Sequence, residues 1–162
     1  MHAEKAIGEI KQLVVDSATL RLTHGEYLLA RMGAGAIDYL RNLAGGTDKY
    51  SEAERIRLWR GLAGLSLRAG DYAQAKILSQ GVLNYEPGNM EMQIIRFEVA
   101  VREKDFSTLR NILDEIKEGK KDPGAFWHYG QAVFLNMSAQ KNDVKQINQA
   151  QRHIEEALRL RP

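Results

Sequence analysis

Four histidines, His2, His24, His128 and His153, are the side chains of this sequence best suited to metal or proton chemistry. They stand apart. No two of them are four residues apart, the spacing at which one helix presents two imidazoles to a zinc ion, and there is no His-Glu-x-x-His run. Each reads as a surface or packing histidine. Phosphate chemistry has no better footing, because Gly33-Ala34-Gly35 lacks both a following Lys-Ser/Thr and a preceding strand. The carboxylates Asp114-Glu115 and Glu155-Glu156 are adjacent, so on a helix they point to different sides and cannot work as an acid–base pair. The 162 residues include no cysteine, which excludes disulfides, thiolate metal sites and a Cys nucleophile. The reading is a protein that is not an enzyme, with no catalytic residue, no metal and no cofactor.

Charge and composition narrow the partners. Lys+Arg 23 against Asp+Glu 21 leaves a formal charge of +2, too nearly balanced for a nucleic-acid footprint. The densest basic run, Lys117 to Lys121, is broken by Glu118 and Gly119 and reads as a solvated turn. With 44% hydrophobic and 27% charged residues the composition is that of a soluble globular domain. A chain of this length hides ~70% of its unfolded surface on folding. No apolar run approaches the ~20 residues of a membrane helix, so no membrane insertion is expected. The N-terminal MHAEKAIGEIKQ has no apolar signal core, which points to a cytoplasmic site.

The elements that would position any site are helices. Prolines stand only at 87, 123 and 162, and good helix formers fill the windows between them. The fold class is all-α. A small-or-apolar triplet at offsets of four and seven recurs along the chain. It reads Ala3, Ile7, Ile10; Ala36, Leu40, Leu43; Ala75, Ser79, Val82; Leu109, Leu113, Ile116; and Ala150, Ile154, Ala157. Those offsets place three residues on one helix face. The starts at Ala3, Ala36, Ala75, Leu109 and Ala150 fall at near-regular intervals. A second helix precedes most triplets, with Leu58, Leu62, Leu65 and Ala69 in one and Phe126, Tyr129, Gly130, Val133 and Phe134 in another. Short breakers join the pairs at Gly33-Ala34-Gly35, Gly70-Asp71 and Lys104-Asp105, and short connections make antiparallel neighbours. Ser51-Glu52-Ala53-Glu54 is a capping box that opens a helix running to about Ala69. Asn142 is positioned to cap the final helix. Ala44 to Tyr50 is the longest loop.

The pattern resembles the tetratricopeptide repeat. Its residues here are Trp59, Leu62-Ala63, Ser66, Ala75, Ser79 and Pro87, then Phe126, Tyr129-Gly130, Val133, Ala150, Ile154 and Pro162. The alanine-to-proline distance is twelve in both hairpins, 75 to 87 and 150 to 162. The resemblance implies a superhelical α-solenoid of about nine helices, as one domain over 1–162. Its parts would be a half repeat at 1–16 and hairpins at 17–46, 51–88, 89–122 and 123–162. In the 89–122 hairpin, Arg96 and Phe97 fall where the family places a leucine and a small residue. Either that hairpin is rotated or Arg96 pairs with a neighbouring acid.

In this family the first helix of each hairpin lines a concave binding face. Carried over, the face comprises Arg57, Arg60, Gly64 and Arg68, then Ile94, Glu98 and Arg102, then Trp127, His128 and Gln131. The resemblance implies a scaffold for an unidentified protein or peptide, oriented by the arginines and anchored on Trp127. The plainer alternative makes the arginines ordinary surface charges and Trp127 a core residue. The carboxylate clamp of chaperone-binding relatives needs Lys and Asn where this chain has Arg60 and Gly64, so that activity is not implied. Gly61 and Gly64 each cost ~1 kcal/mol against alanine. Close helix contact and a floor left open for a ligand backbone are both open explanations. A structural spacer is the alternative function, and an RNA-binding hairpin array is disfavoured by the balanced charge. Residues 3–15 read as a lone second helix, and Pro162 follows no polar capping helix. The chain is therefore read as a piece of a longer protein, or as one that associates weakly end to end through Leu158 and Leu160.

Overall fold

The computed structural model describes residues 16–118, 122–139 and 143–160. All regular structure among them is helical. The single helical domain expected from the sequence divides into two compact units, Met1–Tyr85 and Glu86–Pro162. In the first unit α1 spans Ala18–Met32, a 3-10 turn spans Gly33–Ala36, α2 spans Ile37–Leu43, α3 spans Glu52–Ala69 and α4 spans Tyr72–Leu83. In the second, α5 spans Met90–Glu103, α6 Phe106–Lys117, α7 Ala125–Ser138 and α8 Val144–Arg159. Sequence neighbours pack together: α3 on α4, α5 on α6 and α7 on α8, with α1 also on α3 and α6 on α7.

Capping chemistry sets most helix starts. Ser51 accepts from the Glu54 N–H while the Glu54 carboxylate accepts from the Ser51 N–H, the capping box expected from the sequence. Ser17, Asp71, Asn89, Asp105 and Asp143 each accept from a backbone N–H three residues on. Asp143 thus takes the capping role expected of Asn142, which lies outside the described residues. The interhelical turns repeat as well. Gly70 has φ 85° and Lys104 has φ 56°, both left-handed. The next residue in each case, Asp71 or Asp105, donates its N–H back five residues, to Ser66 or Ala100, at 2.9 Å. The same backbone turn therefore recurs one hairpin later. A left-handed non-glycine costs about 1–2 kcal/mol. At Lys104 the closing hydrogen bond and the Asp105 cap offset that cost.

Burial follows the triplets. Ala75, Ser79 and Val82 are buried, as are Leu109, Leu113 and Ile116; Ala36 and Leu40 are buried beside a half-buried Leu43. Ala3, Ile7 and Ile10 lie outside the described residues. The last triplet differs, because Ile154 is exposed and α8 buries no residue fully. Ala150 and Ala157 of the same triplet are half-buried. In the second unit Phe97, Ala100, Leu109, Ile112, Leu113 and Ile116 form the core. Arg96 is half-buried and holds Glu115 at 3.0 Å. Of the two readings of this hairpin, the structure has the ion pair.

Two carboxylates tie the first unit together. Asp16 receives the Arg21 guanidinium at 2.7 and 2.8 Å, the Lys49 ammonium at 2.8 Å and the Tyr50 hydroxyl at 2.8 Å. Arg21 Nη1 donates to the Leu43 and Gly45 carbonyls, so the start of α1 is pinned to the loop after α2. Asp71 caps α4 and also takes both prongs of Arg41 at 2.6 and 2.9 Å. The Arg21 contact holds the Asp16 carboxyl well below the usual carboxylate range, and the Arg41 contact lowers that of Asp71. Both remain ionised at neutral pH.

Candidate interaction surface

The face of α3 is laid out by helical spacing. Arg57, Arg60, Gly64 and Arg68 are three or four residues apart, so the ordinary turn of α3 aligns them. Arg57 and Arg68 are exposed, and Arg60 is half-buried. The two glycines of this helix now separate. A Cβ on Gly61 would collide with the Leu22 side chain of α1, so Gly61 lets the helices approach. A Cβ on Gly64 would meet nothing within 4 Å. Gly64 is the floor of an open strip bordered by arginines. Trp59, on the same helix, is committed elsewhere. Its ring lies against the backbone of Gly81 in α4, and the Arg55 guanidinium stacks over it at 5.5 Å.

In the second unit Ile94, Glu98 and Arg102 align on α5, with Ile94 half-buried and the charged pair exposed. The α7 residues are placed differently from the expectation. Trp127 packs against the core, and its indole N–H donates to the Leu113 carbonyl at 2.9 Å. The Lys117 ammonium sits 5.2 Å from its ring centre. This indole is a strut of the unit, which is the plainer of the two sequence readings. Gln131 is half-buried.

His128 and His153, far apart in the chain, meet across α7 and α8 with their Nδ1 atoms 3.0 Å apart. One ring donates and the other accepts, so the contact requires at least one neutral imidazole. Trp127 stands edge-on to both rings, at 5.0 and 5.5 Å between centroids. Burial lowers the His153 pKa, and the neighbouring His128 lowers it further. A lowered folded-state pKa means the unfolded chain binds the proton more tightly, so the His153 contribution is full above its unfolded value of ~6.5 and fades as pH falls through the folded one. We expect the urea midpoint, read by fluorescence, to fall as pH drops from about 7.5 to about 5, and His153→Gln to flatten that slope. An identical slope in the variant would remove the pair from the explanation. Among the described residues, no three His, Asp or Glu side chains converge on a point where a metal would sit.

A second surface was only partly foreseen. Ala125, Phe126 and Tyr129 of α7 and Ile154, Ala157 and Leu158 of α8 line an open apolar groove of about 370 Å³. Leu158 was expected at an exposed end; the contribution of Tyr129 was not. Its sequence signal was the exchange of a leucine at 62, fully buried, for a tyrosine at the matching place in the later hairpin. No helix among the described residues is long and apolar enough to cross a membrane. No protein-family model, curated protein or solved structure matches the chain.

Proposed function

We propose that this chain is a helical-repeat scaffold of tetratricopeptide type that binds a protein or peptide segment and performs no catalysis. Support for the repeat comes from the left-handed turn and Asp cap that recur in successive hairpins, at Gly70-Asp71 and Lys104-Asp105. One observation carries the binding role: the strip on α3 where Arg57, Arg60 and Arg68 border the open backbone at Gly64. Arginine is favoured at interfaces because its planar fork grips carboxylates with two hydrogen bonds. A bare glycine between such forks lets an extended backbone approach closely. The segment bound is therefore acidic, with small or apolar residues between its carboxylates.

The test uses labelled peptides of alternating Asp/Glu and Ala/Leu, with Lys-substituted versions as controls. Arg57→Glu with Arg68→Glu should weaken binding of the acidic series at least about 10-fold, a loss of about 1.4 kcal/mol or more, with helical circular dichroism unchanged. Equal binding of acidic and basic peptides by the parent chain would defeat the reading. The uncovered apolar groove of α7 and α8 favours a second reading, a structural module that joins larger assemblies through its helix faces.

A further inference from the structure

The outer face of α8 is apolar and uncovered. Val144 is 63% exposed, Ile147 50%, Ile154 39% and Leu158 60%, and Tyr129 of α7 adds a ring that is 49% exposed. Val144, Ile147, Gln151, Ile154 and Leu158 follow one another at spacings of three and four, the seam of a two-helix coiled coil. Gln151 stands at the centre. Val144 and Leu158 lie seven positions to either side of it, and Ile147 and Ile154 lie four and three. The seam thus reads nearly the same in both directions, the property an interface with a two-fold axis requires.

We propose that the occupant of this face is a second copy of the chain, paired antiparallel through α8 with the two-fold axis at Gln151. Charge selects the direction. Antiparallel pairing brings Lys145 close to Glu155 of the copy, on the same side of the seam. Parallel pairing offers no opposite charges at the flanking positions, where Asp143 would meet Asn148 and Ala150 would meet Glu155 of the copy. Area sets the strength. The five apolar side chains expose on the order of 500 Å² per copy, so the pair covers about 1,000 Å², the lower limit for a specific interface. The dimer is therefore weak, with a dissociation constant on the order of 10⁻⁵ M. At the axis the two Gln151 amides can bond to each other, and a polar pair at a seam fixes register. This face shares no residue with the arginine strip on α3, so either proposal can fail without the other.

Sedimentation of the whole chain across about 1 to 500 µM, a range chosen to bracket that constant, should show reversible monomer–dimer exchange. Ile147→Lys and Leu158→Lys should each weaken it at least about 10-fold, or about 1.4 kcal/mol. Both positions are exposed, so folding is preserved, and circular dichroism checks this. The absence of native cysteine permits a test of direction. Under mild oxidation Gln151→Cys should cross-link to its own copy. Val144→Cys alone should not, but should do so when mixed with Leu158→Cys. A monomer throughout the range, a dimer indifferent to both lysines, or self-cross-linking of Val144→Cys would overturn the proposal. A monomer would leave the face to another partner or to further chain.

Discussion

Phe97→Ala should destabilise the second unit by about 3–5 kcal/mol, the usual cost of removing a fully buried aromatic ring. Phe97 is 2% exposed, in the core with Leu109, Ile112 and Leu113, and meets Phe126 edge to face at 5.4 Å. The substitution removes both the burial and the ring pair, and it opens a cavity that Leu109 and Ile112, already fully packed, cannot fill. A small domain holds only about 5–15 kcal/mol in all. The Trp127 indole rests on this core and donates to Leu113, so its fluorescence reports the loss directly. The urea transition should move to lower concentration with little change in slope. An unmoved midpoint would mean that Phe97 is not a core residue.

The second expected result is a pair of glycine substitutions with opposite signs. By helix propensity alone, Gly64→Ala and Gly130→Ala should each stabilise by ~1 kcal/mol. Space decides otherwise. At Gly64 the added methyl meets nothing, so the full ~1 kcal/mol gain is expected. At Gly130 it would lie 2.5 Å from Leu113 Cδ2 and 3.2 Å from Phe97 Cε2, both on buried side chains of the core. Overpacking of that kind costs about 1–3 kcal/mol and more than cancels the propensity gain. Thermal unfolding should therefore show Gly64→Ala above the parent and Gly130→Ala below it. The first substitution also probes the binding strip. If a peptide backbone lies on Gly64, the more stable variant should bind the acidic series less tightly. Unchanged binding would place the ligand elsewhere on α3.

Gly130 and Phe97 also show why the 89–122 hairpin fits the proposed repeat pattern poorly. The pattern wants a small residue at 97, and the chain supplies a ring. The ring fits because position 130, on a different hairpin, carries no side chain. Neither residue alone reveals this, since the compensation runs between α5 and α7, with a whole helix between them in the chain. The same limit hid the His128–His153 contact. The zinc-spacing rule looks within one helix, whereas these rings meet across two.

What the sequence by itself determined was local. The all-helical class, the Ser51 capping box, the end of α3 at Ala69 and the breakers at Gly70-Asp71 and Lys104-Asp105 all rest on interactions within about five residues. The arginine row was equally legible, because a turn of about 3.6 residues places 57, 60, 64 and 68 on one side whatever packs behind them. Only the tertiary structure decided which faces stay uncovered. Gly61 is filled by Leu22 and Gly64 is not; Trp59 and Trp127 are committed to their own units; and Ile154 is exposed where Ser79 is buried. The physical reason is that exposure belongs to a position's neighbours, and those come from distant parts of the chain. Helical periodicity assigns a face to each residue, but packing alone determines whether that face is covered.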